Sequence, residues 1–175
     1  MRKYFVLVLG VLFSFNALAQ TKLPGVSEKY LPLLGTAVTN FWPEIPNRAF
    51  PAGVIMQESL WKERALLKTS REVGCGLGQF TKTYTADGKI RFDTLSELTA
   101  ASPALKGWNW NDCYNVNYQL KAVVIKLKMG DRDCRAVMRG PLNQLACDAA
   151  KYNGGSGSVS KRIRFCQAKA GCNPR

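Results

Sequence analysis

Apolar residues recur at helical spacing over several stretches of the chain, separated by short clusters of Gly, Pro, Ser and Asn. Tyr30, Leu31, Leu34, Val38 and Phe41 form the first stripe, with Ser27 as its expected cap and Pro43 and Pro46 as its stop. A second helix is predicted from about Ala49, with Pro51 in its first turn and Val54, Ile55, Leu60 and Trp61 among its apolar positions. Gly74, Gly76 and Gly78 then interrupt any regular element. Thr83 to Asp93 reads as a hairpin or loop turning at Asp87-Gly88. Leu95, Leu98 and Leu105 predict short helical pieces broken at Pro103, and Gly107 to Asp112 an aromatic, Asn-rich loop.

A longer helix follows, in which Val116, Leu120, Val123, Val124 and Leu127 share one face. Lys121, Lys126 and Lys128 read as its solvated side, and Gly130 as its end. Leu142 to Tyr152 and the basic stretch Val159 to Ala168 predict two more helices, separated by Gly154-Gly155-Ser156-Gly157. The expected fold is mainly α (α+β), one helical domain over residues 20–175 with a short hairpin or loop region.

Composition narrows the chemistry. The 175 residues are 46% hydrophobic and 21% charged, enough for a packed core, and they contain no histidine. Ser/His/Asp triads, Cys/His dyads and His-ligated metals are thereby excluded. The net charge is +13, and of the charged residues only Arg2 and Lys3 lie in the first nineteen positions.

Those positions read as an address. A basic start is followed by an apolar run from Tyr4 to Phe15 and by Ala17-Leu18-Ala19, the pattern of a cleaved signal peptide over residues 1–19. The run is about twelve residues, short of the roughly twenty that span a bilayer. Export to the periplasm is expected, with no stable membrane anchor after cleavage. All six cysteines, Cys75, Cys113, Cys134, Cys147, Cys166 and Cys172, lie beyond the leader. Without a CxxC or a histidine, disulfides are expected rather than zinc, in any of fifteen pairings.

Glu58 is the residue whose placement most suggests chemistry. It follows Gly53-Val54-Ile55-Met56 and precedes Ser59-Leu60-Trp61. An acid packed against apolar neighbours loses hydration, and its pKa rises toward the range of a proton donor. The plain alternative is an exposed glutamate paired with Lys62 at i+4.

Three segments in order, Glu58-Ser59-Leu60-Trp61, Gly76-Leu77-Gly78-Gln79-Phe80 and Tyr152-Asn153-Gly154-Gly155, resemble the signature motifs of the SLT-type lytic transglycosylases, which are related in fold to goose-type lysozyme. The resemblance spans about residues 49 to 157. It implies a lysozyme-like fold and makes Glu58 the catalytic acid and then base. Ser59, Gln79, Phe80, Tyr152 and Asn153 would serve the substrate, the Tyr152 hydroxyl near the Glu58 carboxyl. Gly78 stands where the family usually has methionine, and Lys151 interrupts the usual Ala-Tyr-Asn order. Each motif also has a plainer reading: Gln79 as a partner for backbone groups of the Gly-rich turn, Gly154-Gly155 as a helix stop, Tyr152 as core.

The implied reaction is cleavage of the β-1,4 bond between N-acetylmuramic acid and N-acetylglucosamine in peptidoglycan, leaving 1,6-anhydro ends, with no cofactor and no metal. A hydrolytic muramidase needs a second carboxylate, for which Asp87 and Asp93 are the sequence's candidates. A third reading is a non-catalytic wall-binding component of a secretion, conjugation or phage apparatus. The expected partners are peptidoglycan glycan strands and a cell-envelope-spanning assembly, met as a monomer. Lys161-Arg162-Ile163-Arg164 would suit a nucleic acid, but an exported chain meets stem-peptide carboxylates instead, so no nucleic-acid partner is expected. Trp108, Trp110 and Tyr114 read as core or loop anchors before sugar platforms.

Overall fold

A computed structural model describes residues 23–138 and 141–169. The segment read as a signal peptide and Cys172 lie outside the described residues. A 3-10 turn, Gly25–Lys29, leads into α1 (Leu31–Phe41), and α2 spans Phe50–Ser59. Four short strands follow: β1 (Leu66–Lys68), β2 (Glu72–Cys75), β3 (Phe80–Tyr84) and β4 (Ile90–Asp93). They pair in order as an antiparallel meander, with Leu67 opposite Gly74, Val73 opposite Lys82 and Thr83 opposite Phe92. The remaining helices are α3 (Thr94–Ala101), α4 (Val116–Arg135), α5 (Pro141–Gly154) and α6 (Ser156–Gln167), with 3-10 turns at Pro103–Leu105 and Trp110–Asp112. The domain is thus mainly α with a small antiparallel sheet.

Helix α4 is the spine. It packs against α1, α2, α3 and α5, and its buried stripe of Leu120, Val123, Val124 and Leu127 meets Leu34, Val38, Ile55 and Leu77 in one core cluster. Trp42, Trp61 and Phe80 are the largest fully buried side chains of that cluster. Phe80 meets Trp108 edge-on at 5.1 Å, and Trp108 stacks on Tyr118. Trp110 Nε1 donates to the Asp93 carboxylate, and Tyr114 lies under Arg64. These aromatics anchor loops and core. Among the described residues no helix is long and apolar enough to cross a membrane.

Several expectations change. Ser27 is buried inside the first 3-10 turn, and Tyr30 takes the N-cap position of α1. Gly74 lies within β2, because strands of three and four residues are too short to show alternation. Helix α4 passes through Gly130 and ends at Arg135. Gly130 is buried inside the helix, where a Cβ would meet Lys151 Cβ at 3.7 Å, an ordinary contact, so it is an interior helix residue rather than a helix stop. Gly155, with φ 75°, is the left-handed residue that separates α5 from α6.

The cysteines do not all pair. Cys134 and Cys147 form a disulfide between α4 and α5, and Cys166 is disulfide-bonded. Cys75 and Cys113 are buried free thiols beside each other, and burial together with this contact pushes the Cys75 thiol up.

Candidate active site

Helix α2 delivers Glu58 in its last turn. Pro51 sits in its first turn, and Leu60 ends it in a left-handed conformation with its N–H bonded to Met56 O. An acid so placed meets the negative end of the helix dipole. Glu58 is half-buried, and its pKa is raised, chiefly by burial, while the charge of Lys126 opposes the rise. Because α2 stops at Ser59, Lys62 lies beyond it and the i+4 pairing does not form.

Glu58 lines a pocket of about 320 Å³ with Phe50, Val54, Tyr152 and Asn153. A larger groove of about 590 Å³ adjoins it at Tyr152 and Asn153 and runs past Thr81, Thr83, Arg91, Phe92, Glu97 and Lys126. The groove lies between the sheet and the α5–α6 junction, so the strands supply one wall and the Gly-Gly-Ser-Gly segment the other.

The structure brings three of the six expected site residues together at these pockets: Glu58, Tyr152 and Asn153. The other three have structural employment. Ser59 is buried, and its hydroxyl donates to Ile55 O one turn back. Gln79 Nε2 donates to Ala65 O and Gly76 O, which ties the Gly-rich turn to the chain before β1. Phe80 is fully buried and has no surface to offer a ligand. Tyr152 is also buried, and its hydroxyl donates to Gly78 O at 2.8 Å rather than to Glu58. The negative charge of Glu58 nevertheless reaches it, adding to the upward push of burial on the phenol.

The Gly-rich turn is locked from beneath by Gln119, fully buried on α4. Its Oε1 accepts from Leu77 N–H, and its Nε2 donates to Cys113 O at 2.7 Å. A Cβ at Gly76, where φ is +73°, would fall 1.8 Å from Gln119 Nε2. The glycine is required by both its conformation and its neighbour.

Of the sequence's candidate second acids, neither faces the groove. Asp87 sits in the exposed β3–β4 turn, bound by Thr85 and Lys89, which lower its pKa. Asp93 caps α3 through Ser96 N–H and also meets Trp110 Nε1 and Lys82. Glu72 and Glu97 line the groove instead, the Glu97 pKa raised first by burial and then by Asp93, with Lys126 opposing.

Lys126 is the other residue that the hydropathy pattern misassigns. Its side chain is half-buried and its ammonium engaged: Nζ donates to Tyr152 O at 3.1 Å and stands 3.7 Å from the Tyr152 ring centroid. Burial lowers its pKa to about 8, against the raising effect of Glu58 and Glu97. The signal was the stripe Gln119, Ala122, Lys126, which a helix places on one side and of which the first two are fully buried.

Among the described residues, no group of three or more His, Cys, Asp or Glu side chains is arranged to hold a metal ion. Comparison with protein-family models, with curated proteins and with solved structures gave no match. The fold and site therefore define a class by their own geometry: a mainly helical domain with a small sheet, in which a half-buried acid and a half-buried lysine line adjoining pockets that share a buried tyrosine.

Proposed function

We propose that the chain is an exported, lysozyme-like enzyme that cleaves peptidoglycan glycan strands as a lytic transglycosylase, acting in the periplasm. The observation that carries this reading is Glu58, an acid whose protonated form is favoured by burial, opening on a pocket continuous with an extended groove. The motif resemblance and the basic charge support it.

In this reading protonated Glu58 gives its proton to the glycosidic oxygen as the bond to the muramic acid C1 breaks. The substrate's acetamido group stabilises the positive charge that develops. The carboxylate then removes the proton of the C6 hydroxyl, and that oxygen closes the 1,6-anhydro ring. Glu58 ends protonated, and water is not consumed. Asn153, exposed at the junction of the two pockets, is placed to hydrogen-bond the sugar.

One observation favours a rival. Glu97 in the groove offers a hydrolytic muramidase the second carboxylate that Asp87 and Asp93 do not. Mass spectrometry of digested sacculi separates the readings. Anhydro-muropeptides released by the parent and not by Glu58→Gln are the expected result. Reducing ends, abolished also by Glu97→Gln, turn the assignment to hydrolysis. Binding to sacculi with nothing released turns it to a wall-binding component.

A further inference from the structure

The groove holds a half-buried cation that the proposed reaction has not used. Lys126 projects from α4, is fixed by its hydrogen bond to Tyr152 O, and packs its ammonium over the Tyr152 ring. Tyr152 is in turn fastened to Gly78 O and lines both pockets. The lysine therefore has little freedom, and its charge is presented from one defined place. Through Tyr152 it borders the pocket that Glu58 lines, it shares the groove with Glu97 of α3 and with Glu72 and Arg91 of the sheet, and the charges of Glu58 and Glu97 act on it.

We infer that Lys126 is a positioning residue for Glu58: its ammonium, held over Tyr152, stabilises the carboxylate that Glu58 becomes when it releases its proton. The inference rests on the proposed role of Glu58 as proton donor.

A half-buried glutamate retains its proton readily, which suits an acid, but the carboxylate left behind is penalised by the same burial. A fixed cation nearby offsets that penalty and does so most in the transition state, where the negative charge is forming. Lys126 titrates at about 8, so it is mainly cationic at neutral pH, and the carboxylates of Glu58 and Glu97 both favour that charge.

The test is a carbon-13 NMR titration of the Glu58 carboxyl in the parent, Lys126→Met and Lys126→Arg, run beside digestion of sacculi across pH. In Lys126→Met the Glu58 carboxyl titrates at higher pH than in the parent, digestion falls by about tenfold or more, and its alkaline limb moves upward. Lys126→Arg keeps the parent's Glu58 titration and most of the rate. Reciprocity supplies a second variant: Glu58→Gln makes the Lys126 ammonium lose its proton at lower pH. An unchanged Glu58 titration in a folded Lys126→Met overturns the inference. If that variant does not fold, an unchanged Lys126 titration in Glu58→Gln does so. Coupled titrations in a parent that releases nothing from sacculi would sink the glycan-cleaving assignment and leave the coupling standing.

Discussion

The Tyr152 hydroxyl donates to Gly78 O at 2.8 Å, a bond that joins the end of α5 to the Gly-rich turn across 74 positions of sequence. Both partners are buried. Tyr152→Phe removes the donor and leaves the Gly78 carbonyl unpaired, a cost of about 1–2 kcal/mol. Urea unfolding should show a lower midpoint with an unchanged slope, and sacculus digestion should slow because Asn153 and the groove wall lose their tether.

Gly78 itself has no space for a side chain. A Cβ there would stand 2.6 Å from two Phe80 ring atoms and 2.7 Å from Val123 Cγ2. The methionine usual in the resembling family would therefore collide with the Phe80 ring. Gly78→Ala is expected to destabilise the domain by about 1–3 kcal/mol through overpacking, read as a fall in Tm. Gly78→Met should fare worse.

Much of the helical framework is legible in the sequence, because stripes such as Leu120, Val123, Val124 and Leu127 must face a core whatever surrounds them. The sheet is only half legible. Its β3–β4 hairpin announces itself through Asp87-Gly88, whereas β1 and β2 are too short to display alternation, and Leu66 and Leu67 are exposed. At the site, Glu58 stands out locally because an acid among apolar neighbours is unusual. Lys126 and Glu97 do not, because each becomes part of the groove only when α3, α4 and α5 assemble. Gln79 and Ser59 carry motif identity, yet their hydrogen bonds go to the backbone.

A buried acid outside the groove makes stability depend on pH. Asp148, on α5, is almost fully buried beside Asp131, and burial followed by the Asp131 charge raises its pKa from 3.8 to about 7. Between these values the unfolded chain has released the proton and the native protein has kept it. Asp148 therefore costs stability as pH rises through that window and costs nothing below it. Thermal unfolding of the parent against Asp148→Asn should diverge from about pH 4 to pH 7, the parent losing on the order of 4 kcal/mol relative to the variant.

The Cys134–Cys147 bond spans 13 positions and clamps the end of α4 to α5. Closing so short a loop stabilises the native state by about 3 kcal/mol in the chain-entropy account. Cys134→Ser/Cys147→Ser should lower Tm accordingly. Amide hydrogen exchange should quicken around Asp148 to Asn153 more than in the sheet, since α5 carries one groove wall.

Leu60 and Trp61 leave α2 with φ of 52° and 63°, two consecutive left-handed residues without a glycine between them. Such backbone costs about 1–3 kcal/mol per residue, and the fully enclosed Trp61 indole is large enough to offset it. The indole thus acts as ballast for the end of the helix that carries Glu58. A slip of one residue in α2 would drag it out of the interior, so the placement of the Glu58 carboxyl is governed by a tryptophan that has no exposed surface of its own.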